Sequence, residues 1–355
     1  MFLAINEILK EKSRFVLIVI VVVLVSYLVF FLTALAYGLA SSYTRALDKW
    51  EASGIIMSAN ANDTIGRSLL YSSDYANLLS DDVAPLGVGS ATLIAQNRED
   101  VALFGVEQGS FLAPDISEGR SISADNEVVL SDELQPLGIA IGDNITLADV
   151  ADKYKVVGFT SRSTFQTTPV IYMSHDTWRL AASEASGMTG MRDDSTISAL
   201  ITRGDQKAAY TNDRIYWQSI DDFIFNLPGY RPQVLTFSLM IGFLIGIAAF
   251  VLSIFIYILT MQKKSIFGVL KAEGISSAYI ARSVMVQVVI IAATGLLTGL
   301  ALSLVTGLLL AGKVPFEVNL IFFIGIALLF LLCAVLGGIA SVRSVAKIDP
   351  VEAIG

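Results

Sequence analysis

The sequence predicts a membrane protein with four transmembrane α-helices, one before and three after a mixed α+β domain outside the cell. Hydrophobic residues make up 54% of the 355 residues, which exceeds the usual content of a soluble domain. Charged residues are also segregated, because four long runs carry none. Between the first and second runs, short strand-like pieces alternate with turn signals. These three observations define the fold class.

Each charge-free run exceeds the ~20 residues that a helix needs to cross a bilayer. The runs are Phe15–Thr44, Val234–Gln262, Ser283–Gly312 and Val318–Val342. A helix satisfies its own backbone hydrogen bonds in lipid, so we predict helices at 15–44, 232–262, 284–311 and 318–342. The first run is longer than the core of a signal peptide, which spans roughly 7–15 residues, so it is predicted to stay as an anchor.

Basic residues near the predicted helices set the orientation. They cluster at Lys10, Lys12, Arg14, Lys263, Lys264, Lys271, Arg282, Arg343 and Lys347. The positive-inside rule then places both termini, including the tail 343–355, and the loop 263–283 in the cytoplasm of a plasma-membrane protein. Residues 1–14 are predicted to form an amphipathic cytoplasmic elbow, with Phe2, Ile5 and Leu9 in the membrane interface.

The segment 45–231 is therefore predicted to lie outside, and it is strongly acidic. It holds 26 acidic and 14 basic side chains, for a net charge of −12, while the rest of the chain is near +4. Such a charge makes nucleic acid an unfavourable partner. The single cysteine, Cys333, falls in the fourth helix, so the outer domain must be stabilised by its own core rather than by a disulfide.

Alternating apolar residues between turn signals define the elements of the outer domain. We predict strands at Ser90–Ala95, Val101–Val106, Glu127–Leu130, Asn144–Leu147, Lys155–Phe159, Val170–Met173 and Ser198–Ile201, and helices at Ser73–Leu79, Ser131–Leu137 and His175–Ala185. Ser174 is the expected N-cap of the last helix. The class is mixed α+β.

Catalytic and metal-binding patterns are not evident. The only histidine, His175, cannot build a metal site alone, and we interpret it as a capped or surface residue. Neighbouring carboxylates at 81–82, 193–194 and 221–222 are interpreted as solvated loop residues. "GLLLAGKV", Gly307–Val314, matches G-x-x-x-x-G-K but has valine where a phosphate loop needs Ser or Thr, and it lies in an apolar run. We therefore predict no ATPase site, no metal and no intrinsic cofactor.

The loop 263–283 is predicted to contain a short helix, a break and a second helix. Gly274 is a helix stop, and Ser276-Ser277 can cap the restart. Ile266, Phe267 and Leu270 share one predicted helical face. From the residues alone, an ordinary connecting loop with lysines on the cytoplasmic side is the favoured interpretation.

"IFGVLKAEGISSAYI" resembles the loop after the second helix of MacB/FtsX-type ABC transporter permeases, whose core is E-I-G-(I/L)-x-x-A-x-G-A. Gly268, Val269, Ala272 and Gly274 match, while Ile266 replaces Glu and Glu273 replaces an apolar residue. The ending "AKIDPVEAI" and the outer segments "VALFGVEQGSF", "EGR", "EVVLSDELQPLGIAIGDNITL" and "YKVVGF" follow the family order. The resemblance covers nearly the whole chain.

This resemblance implies two permeases and two separate cytoplasmic ATPases that bind ATP. The coupling residues that it implies are Phe267, Gly268, Leu270, Lys271, Ala272, Glu273 and Gly274. Within the family, the length and architecture resemble the heme-exporting (HrtB-type) permeases of Gram-positive bacteria. Heme would then be a substrate taken from membrane lipid by a permease homodimer.

A heme site needs an iron ligand and a cation for the propionates. The candidates near the outer ends of helices one and two are Tyr37, Tyr43, Arg45, Glu51, Tyr230 and Arg231, with Glu51 or Tyr230 as the possible iron ligand. An aromatic belt with interfacial charges is the alternative interpretation of these residues. Two other functions stay open, namely export of antimicrobial peptides or lipids and a non-transporting FtsX-like mechanotransmitter. A membrane-anchored enzyme is disfavoured because no catalytic constellation is evident.

Overall fold

The computed structural model describes residues 12–187, 195–204 and 211–346, with the helix backbone alone for 340–346. Most of the predicted elbow and the end of the predicted tail lie outside the described residues. The chain divides into two compact units. A membrane unit comes from 1–39 and 234–355, and an outer unit comes from Ala40–Gln233.

Eight α-helices are present in the described part of the chain. They are α1 Lys12–Asp48, α2 Ser72–Tyr75, α3 His175–Ala185, α4 Ile220–Asn226, α5 Tyr230–Gln262, α6 Lys264–Ala272, α7 Ser277–Leu309 and α8 Leu320–Ala346. Four of them, α1, α5, α7 and α8, are long and apolar enough to cross a membrane. The predicted arrangement of one membrane helix, a mixed domain and three more membrane helices is confirmed.

Small residues bring α1 and α7 into close contact within the membrane unit. A side chain at Gly299 would collide with Ser26 and Tyr27, and one at Gly295 would collide with Val22. The buried Ser26 hydroxyl donates to the Gly295 carbonyl oxygen at 2.9 Å. Small residues are the usual means of close helix packing in lipid. The corresponding pair Gly242 and Gly246 in α5 has no such neighbour within 4 Å among the described residues.

The outer unit is built on a mixed sheet of eleven strands in its described part. They are β1 Gly54–Ser58, β2 Val83–Ile94, β3 Arg98–Gly105, β4 Glu118–Gly119, β5 Glu127–Ser131, β6 Asn144–Leu147, β7 Lys153–Thr160, β8 Thr164–Phe165, β9 Thr168–Met173, β10 Ala199–Thr202 and β11 Ile215–Ser219. The order is β11-β1-β10-β2-β3-β9-β5-β7-β4, with β6 between β2 and β7 and β8 beside β9. The β3–β9 and β5–β7 pairs are parallel.

All seven predicted strands are present, although several are longer than predicted. Strand β2 begins at Val83, whereas the predicted strand begins at Ser90. Pro85, Gly87 and Gly89 weaken the strand signal of the first half, so the prediction leaves that half out. The predicted helix Ser73–Leu79 shortens to α2, and Ser131–Leu137 is a 3₁₀-helix, Asp132–Leu137, that contains Pro136. Strands β1, β4, β8 and β11 were not predicted.

Helix α3 packs on β2 and β3 through Trp178. A Cβ at Gly105 would lie 2.7 Å from the Trp178 ring, and one at Gly87 would also overlap it, so the two glycines make room for the indole. The predicted N-cap is confirmed, because the Ser174 hydroxyl accepts from the Thr177 amide. A surface position for His175 is wrong, because the ring is buried, with Nε2 3.3 Å from the Pro85 carbonyl oxygen.

Candidate functional site

The cytoplasmic segment predicted from the sequence has the expected local structure. Helix α6 follows α5 after a single intervening residue, Lys263, and ends at Ala272. Gly274 has φ +93°, a left-handed conformation that glycine adopts without steric cost. The Ser276 hydroxyl then accepts from the Tyr279 amide and caps α7. The chain therefore turns sharply between two well-formed helices.

Helix α6 is amphipathic, and its faces differ from the predicted ones. Phe267 is 2% exposed and packs into the membrane unit, with Leu270 partly buried beside it. Ile266 is not on this face, since it is 54% exposed and Val269 is 45% exposed. A helix turns 100° per residue, so positions 266 and 269 lie about 60° apart, on a side of the helix about 100° away from the side that carries Phe267 and Leu270. Ala272, Glu273 and Gly274 are exposed as well. We call residues 263–276 the coupling segment.

The start of the coupling segment is firmly packed. Lys263 is only 7% exposed, and its ammonium lies 5.8 Å from the centre of the Phe15 ring on α1. Its neighbours around a small cavity include Thr260, Phe267 and Gln287. Helix α6 is therefore joined to α1, α5 and α7 at its first turn, while its far end is exposed.

The predicted substrate residues do not form one cluster within the chain. The Tyr43 and Tyr230 rings meet edge to face at 5.5 Å. Arg231 lies over the Phe225 ring at 5.1 Å, and Tyr37, in the membrane unit, lies 5.6 Å from Phe322. Each aromatic candidate therefore has an aromatic or cationic neighbour, as in an aromatic belt.

Arg45 pairs with an acidic residue that the sequence did not indicate. Its Nη1 lies 2.8 Å from Glu133 Oε1, and the Arg45 side chain is 16% exposed. The partner lies in the 3₁₀-helix that follows β5. A propionate at Arg45 would therefore have to compete with a carboxylate from the same chain.

Glu51 lines a cavity of about 370 Å³ with two cations that sequence reasoning missed. These are Lys49 and Arg203, and Asp115 lies in the same wall. Burial lowers the pKa of Lys49, and Asp115 and Asp132 partly oppose that shift. Arg203 donates to the Trp50 carbonyl oxygen at 2.8 Å and stacks on Phe111. No local pattern points to Arg203, because it lies 153 residues from Trp50.

A second missed feature holds the outer end of α1. Strands β8 and β9 form a hairpin whose two-residue turn is Gln166-Thr167. Their φ angles are +49° and +71°, as a type I′ turn requires. The Gln166 amide donates to the Tyr43 carbonyl oxygen, and the Thr167 amide donates to that of Ser42, both at 3.1 Å. We call residues 160–167 the α1 collar.

The rest of the α1 collar holds the same helix end. The Lys49 ammonium donates to the Ser161 carbonyl oxygen and to the Thr160 hydroxyl. The Arg162 amide donates to Asp132 at 2.7 Å, and Arg162 also has a positive φ, +36°. Positive φ at a threonine is an outlier, and strained backbone persists only where the surroundings enforce it.

Two titratable groups elsewhere in the outer unit are strongly perturbed. The hydrogen bond from Arg120 lowers the pKa of Glu127 to about 2, with further help from Ser123. Burial lowers the pKa of His175 to about 4, so this imidazole is neutral at physiological pH. Neither group is among the predicted substrate residues.

A four-helix membrane unit with a glycine break between its second and third membrane helices and an inserted mixed-sheet domain is typical of an ABC transporter permease. The chain matches the MacB-like periplasmic core domain over residues 15–213 and the FtsX-like permease C-terminal family over residues 238–350. The first match covers more than half of the chain. The protein belongs to the MacB/FtsX-type family of ABC transporter permeases.

Several relatives are similar over their whole length. The proposed hemin transport system permease protein HrtB of Staphylococcus epidermidis is 25% identical over 358 residues, covering 100% of this chain and 99% of that protein. The corresponding protein of Staphylococcus haemolyticus is 24% identical with the same coverage. An uncharacterized ABC transporter permease of Mycobacterium tuberculosis is 23% identical, again covering 100% and 99%.

One solved structure is also similar, namely the extracellular domain of the ABC-type transporter YknZ from Gram-positive bacteria. It has a TM-score of 0.31 and 13% identity, and the match covers 43% of this chain and 83% of that one. A likeness of this size carries no argument about function.

Proposed function

We propose that this chain is the permease subunit of an ABC exporter that removes heme from the membrane, driven by a separate cytoplasmic ATPase. The observation that carries the substrate is the full-length similarity to staphylococcal proteins that are named as hemin transport permeases. Two permeases and two ATPases form the assembly, and ATP binds only to the partner subunits. The permease has no cofactor of its own.

The termini and the coupling segment face the cytoplasm, and the outer unit faces the exterior. The basic residues that flank the helices support this orientation. To test it, Cys333→Ser removes the only native cysteine, and Ser121→Cys and Ser276→Cys then introduce exposed thiols. An impermeant thiol reagent should label the first site in intact cells and the second only after lysis. The reverse pattern would contradict the orientation.

The exposed side of α6 is the proposed contact for the ATPase. It combines Ile266 and Val269 with the small residues Ala272 and Gly274, so a partner can approach closely. Apolar residues held out on a short rigid helix are suited to a groove in another protein. Phe267 on the other side connects that helix to the membrane core.

The proposed heme site lies near the outer ends of α1 and α5 in a homodimer. Arg45 and Arg231 are the proposed partners of the propionates, and Tyr37, Tyr43 and Tyr230 provide apolar contact. Glu51 is the preferred iron ligand, since Lys49 and Arg203 share its cavity and Tyr230 is packed on Tyr43. Heme binding at Arg45 would replace its contact with Glu133.

The test begins with the permease purified together with its ATPase. A heme absorbance band in the Soret region should accompany the complex. A charge-assisted hydrogen bond contributes about 1.5–3 kcal/mol, so Arg45→Ala should weaken heme binding about tenfold or more. Glu51→Ala should also shift the band, because the axial ligand sets the electronic state of the iron. Arg67→Ala removes an exposed arginine elsewhere in the outer unit and is the matched control.

Glu133→Gln separates a substrate role of Arg45 from a structural one. If Arg45 only stabilises the fold, Glu133→Gln and Arg45→Ala should behave alike. If Arg45 binds heme, Glu133→Gln should preserve or increase heme content, because the guanidinium loses its competitor. Tyr43→Phe and Tyr230→Phe test a phenolate ligand. A wild-type complex that binds no heme would refute heme export, and an FtsX-like mechanotransmitter would then be the better function.

A further inference from the structure

We infer that the Gln166-Thr167 turn is the attachment through which α1 moves the outer sheet. Gln166 and Thr167 are therefore positioning residues in the transport cycle. The inference rests on the proposed function, since it assumes that the ATPase displaces α1. It adds a point of force transfer on the outer side of the membrane. That point is a hairpin turn rather than the covalent continuation of the helix.

The attachment consists of backbone atoms. Gln166 and Thr167 donate their amides to two successive carbonyl oxygens of α1, those of Tyr43 and Ser42. Both amides point at the helix because both residues have positive φ. Asn-Gly is the sequence that favours such a turn, and Gln-Thr is a poor one. The conformation is therefore maintained by its contact with α1 rather than by local preference.

A chain of aromatic rings connects the same turn to Trp50, two residues beyond the end of α1. Phe165, which begins the turn, is 4% exposed, and its ring lies 5.4 Å from Phe104 on β3. Phe104 in turn lies 5.6 Å from Trp50. Phe104 also meets Tyr172 on β9 at 5.7 Å. The end of α1, the β8–β9 hairpin and the sheet are thus connected both by hydrogen bonds and by aromatic packing. Closely packed cores transmit displacement rather than absorb it.

The start of α5 is held in a simpler way. It follows a turn at Leu227–Tyr230, in which Gly229 has φ +84° and the Tyr230 amide donates to the Leu227 carbonyl oxygen at 3.1 Å. Tyr230 packs edge to face on the Tyr43 ring and against the core of the outer unit, and Arg231 lies over the Phe225 ring. These are side-chain packing contacts, whereas α1 also accepts two backbone hydrogen bonds from the β8–β9 turn. In the proposed cycle, the sheet therefore follows α1.

Three variants of the full permease, each in complex with the ATPase, test the attachment. A Gly-Gly insertion between Gln166 and Thr167 lifts the two amides off α1 and leaves β8 and β9 intact. The control is the same insertion between Gln96 and Asn97, in the β2–β3 turn. The double substitution Q166N/T167G keeps both amides and prefers the same turn, so it should behave as wild type.

Hydrogen exchange is measured with and without ATP and vanadate. In the wild type, nucleotide should change exchange in α6 and in residues 164–173. The collar insertion should keep the response in α6 and lose it in 164–173, with export lost and ATPase activity retained. The control insertion and Q166N/T167G should keep both responses. An unchanged response at 164–173 in the collar insertion would overturn the inference, and no response anywhere in the wild type would refute the proposed coupling itself.

Discussion

The coupling segment and the α1 collar, the two regions proposed to transmit force, are built in opposite ways. The coupling segment presents exposed Ile266 and Val269 beside a glycine break, and this exposed side is the proposed contact for the ATPase. The collar instead surrounds a helix end with hydrogen bonds and aromatic rings from its own chain. We call the first an open contact, which the proposed ATPase would complete, and the second a closed contact, which lies within one subunit.

This difference predicts how each of the two regions responds to mutation. An open contact tolerates substitution without loss of fold, because its exposed side chains support nothing within the chain. A closed contact cannot be weakened without removing part of a core. Mutations at the exposed residues of the coupling segment should therefore separate assembly from folding, whereas mutations in the collar should affect folding and transmission together.

The largest effect is expected where the collar enters the core. Phe165→Ala removes a buried ring and should destabilise the outer unit by about 3–5 kcal/mol. Ile266→Ala, at an exposed apolar residue of α6, should leave the stability of the outer unit unchanged and reduce ATPase association. All three tryptophans, Trp50, Trp178 and Trp217, lie in the outer unit, so fluorescence-detected thermal unfolding of the full chain measures that unit alone.

The predicted difference between the collar and the coupling segment is wrong if Phe165→Ala and Ile266→Ala unfold at the same temperature. Phe225→Ala is a useful matched control, since Phe225 is another phenylalanine of the outer unit but is 41% exposed. Its loss should change the unfolding temperature little. A large loss at Phe225 would mean that fluorescence reports general surface damage rather than removal of the collar's anchor.

The coupling segment could be predicted from the sequence because all of its determinants are local. A glycine stop, a serine cap and an apolar helical pattern lie within about fifteen residues, and each acts on its immediate neighbours. The exposed position of Ile266 was missed because a short helix can turn either face inward. That choice depends on packing against α1 and α7, which periodicity does not contain.

The collar could not be predicted for the opposite reason. Gln-Thr has no turn signal, and its partners Ser42 and Tyr43 lie more than 120 residues earlier in the chain. The cations beside Glu51 and the acid beside Arg45 were missed in the same way, because tertiary contacts bring them together. Strands β1 and β11 were overlooked because each depends on pairing with the other, not on a strong alternating pattern.

Acid should destabilise the outer unit by about 3 kcal/mol through His175. The pKa of His175 falls from 6.5 to about 4 on folding, and one pKa unit corresponds to about 1.4 kcal/mol. Because the folded pKa is the lower one, stability is complete above pH 6.5 and is lost as pH falls towards 4. Fluorescence-detected unfolding should show this loss in the wild type and little of it in His175→Gln.

The coupling segment contains no histidine, since the chain has only one. Association with the ATPase should therefore not follow the pH profile of His175. Glu127 titrates in a lower window, between about 4.5 and 2, so the two contributions can be separated by pH. An equal loss of stability in His175→Gln between pH 6.5 and 4 would assign the effect to other groups.

Steric change at the open contact should have a moderate effect on assembly and none on insertion. Ala272→Trp with Gly274→Leu places bulk on the exposed end of α6 and a side chain at φ +93°. A non-glycine residue in the left-handed region costs about 1–2 kcal/mol, and ATPase association should fall about tenfold. Gly312→Leu is the control, since Gly312 has φ +74° and open space around it. Equal ATPase yield in both variants would exclude this surface as the contact.

The smallest expected effect concerns the start of α5, where the contact is neither fully open nor fully closed. A Cβ at Gly229, which has φ +84°, would lie 3.0 Å from the Tyr43 hydroxyl oxygen, so Gly229→Ala adds both backbone strain and a tight contact. Gly109→Ala adds strain alone, because Gly109 has φ +80° and nothing within 4 Å among the described residues. Each change should destabilise the outer unit by about 1–2 kcal/mol. The excess at Gly229 should vanish when Tyr43→Phe is added, which a double-mutant cycle measures directly. A persistent excess would show that α5 is fixed by more than the Tyr43 ring, and the distinction between the two helix ends would then weaken.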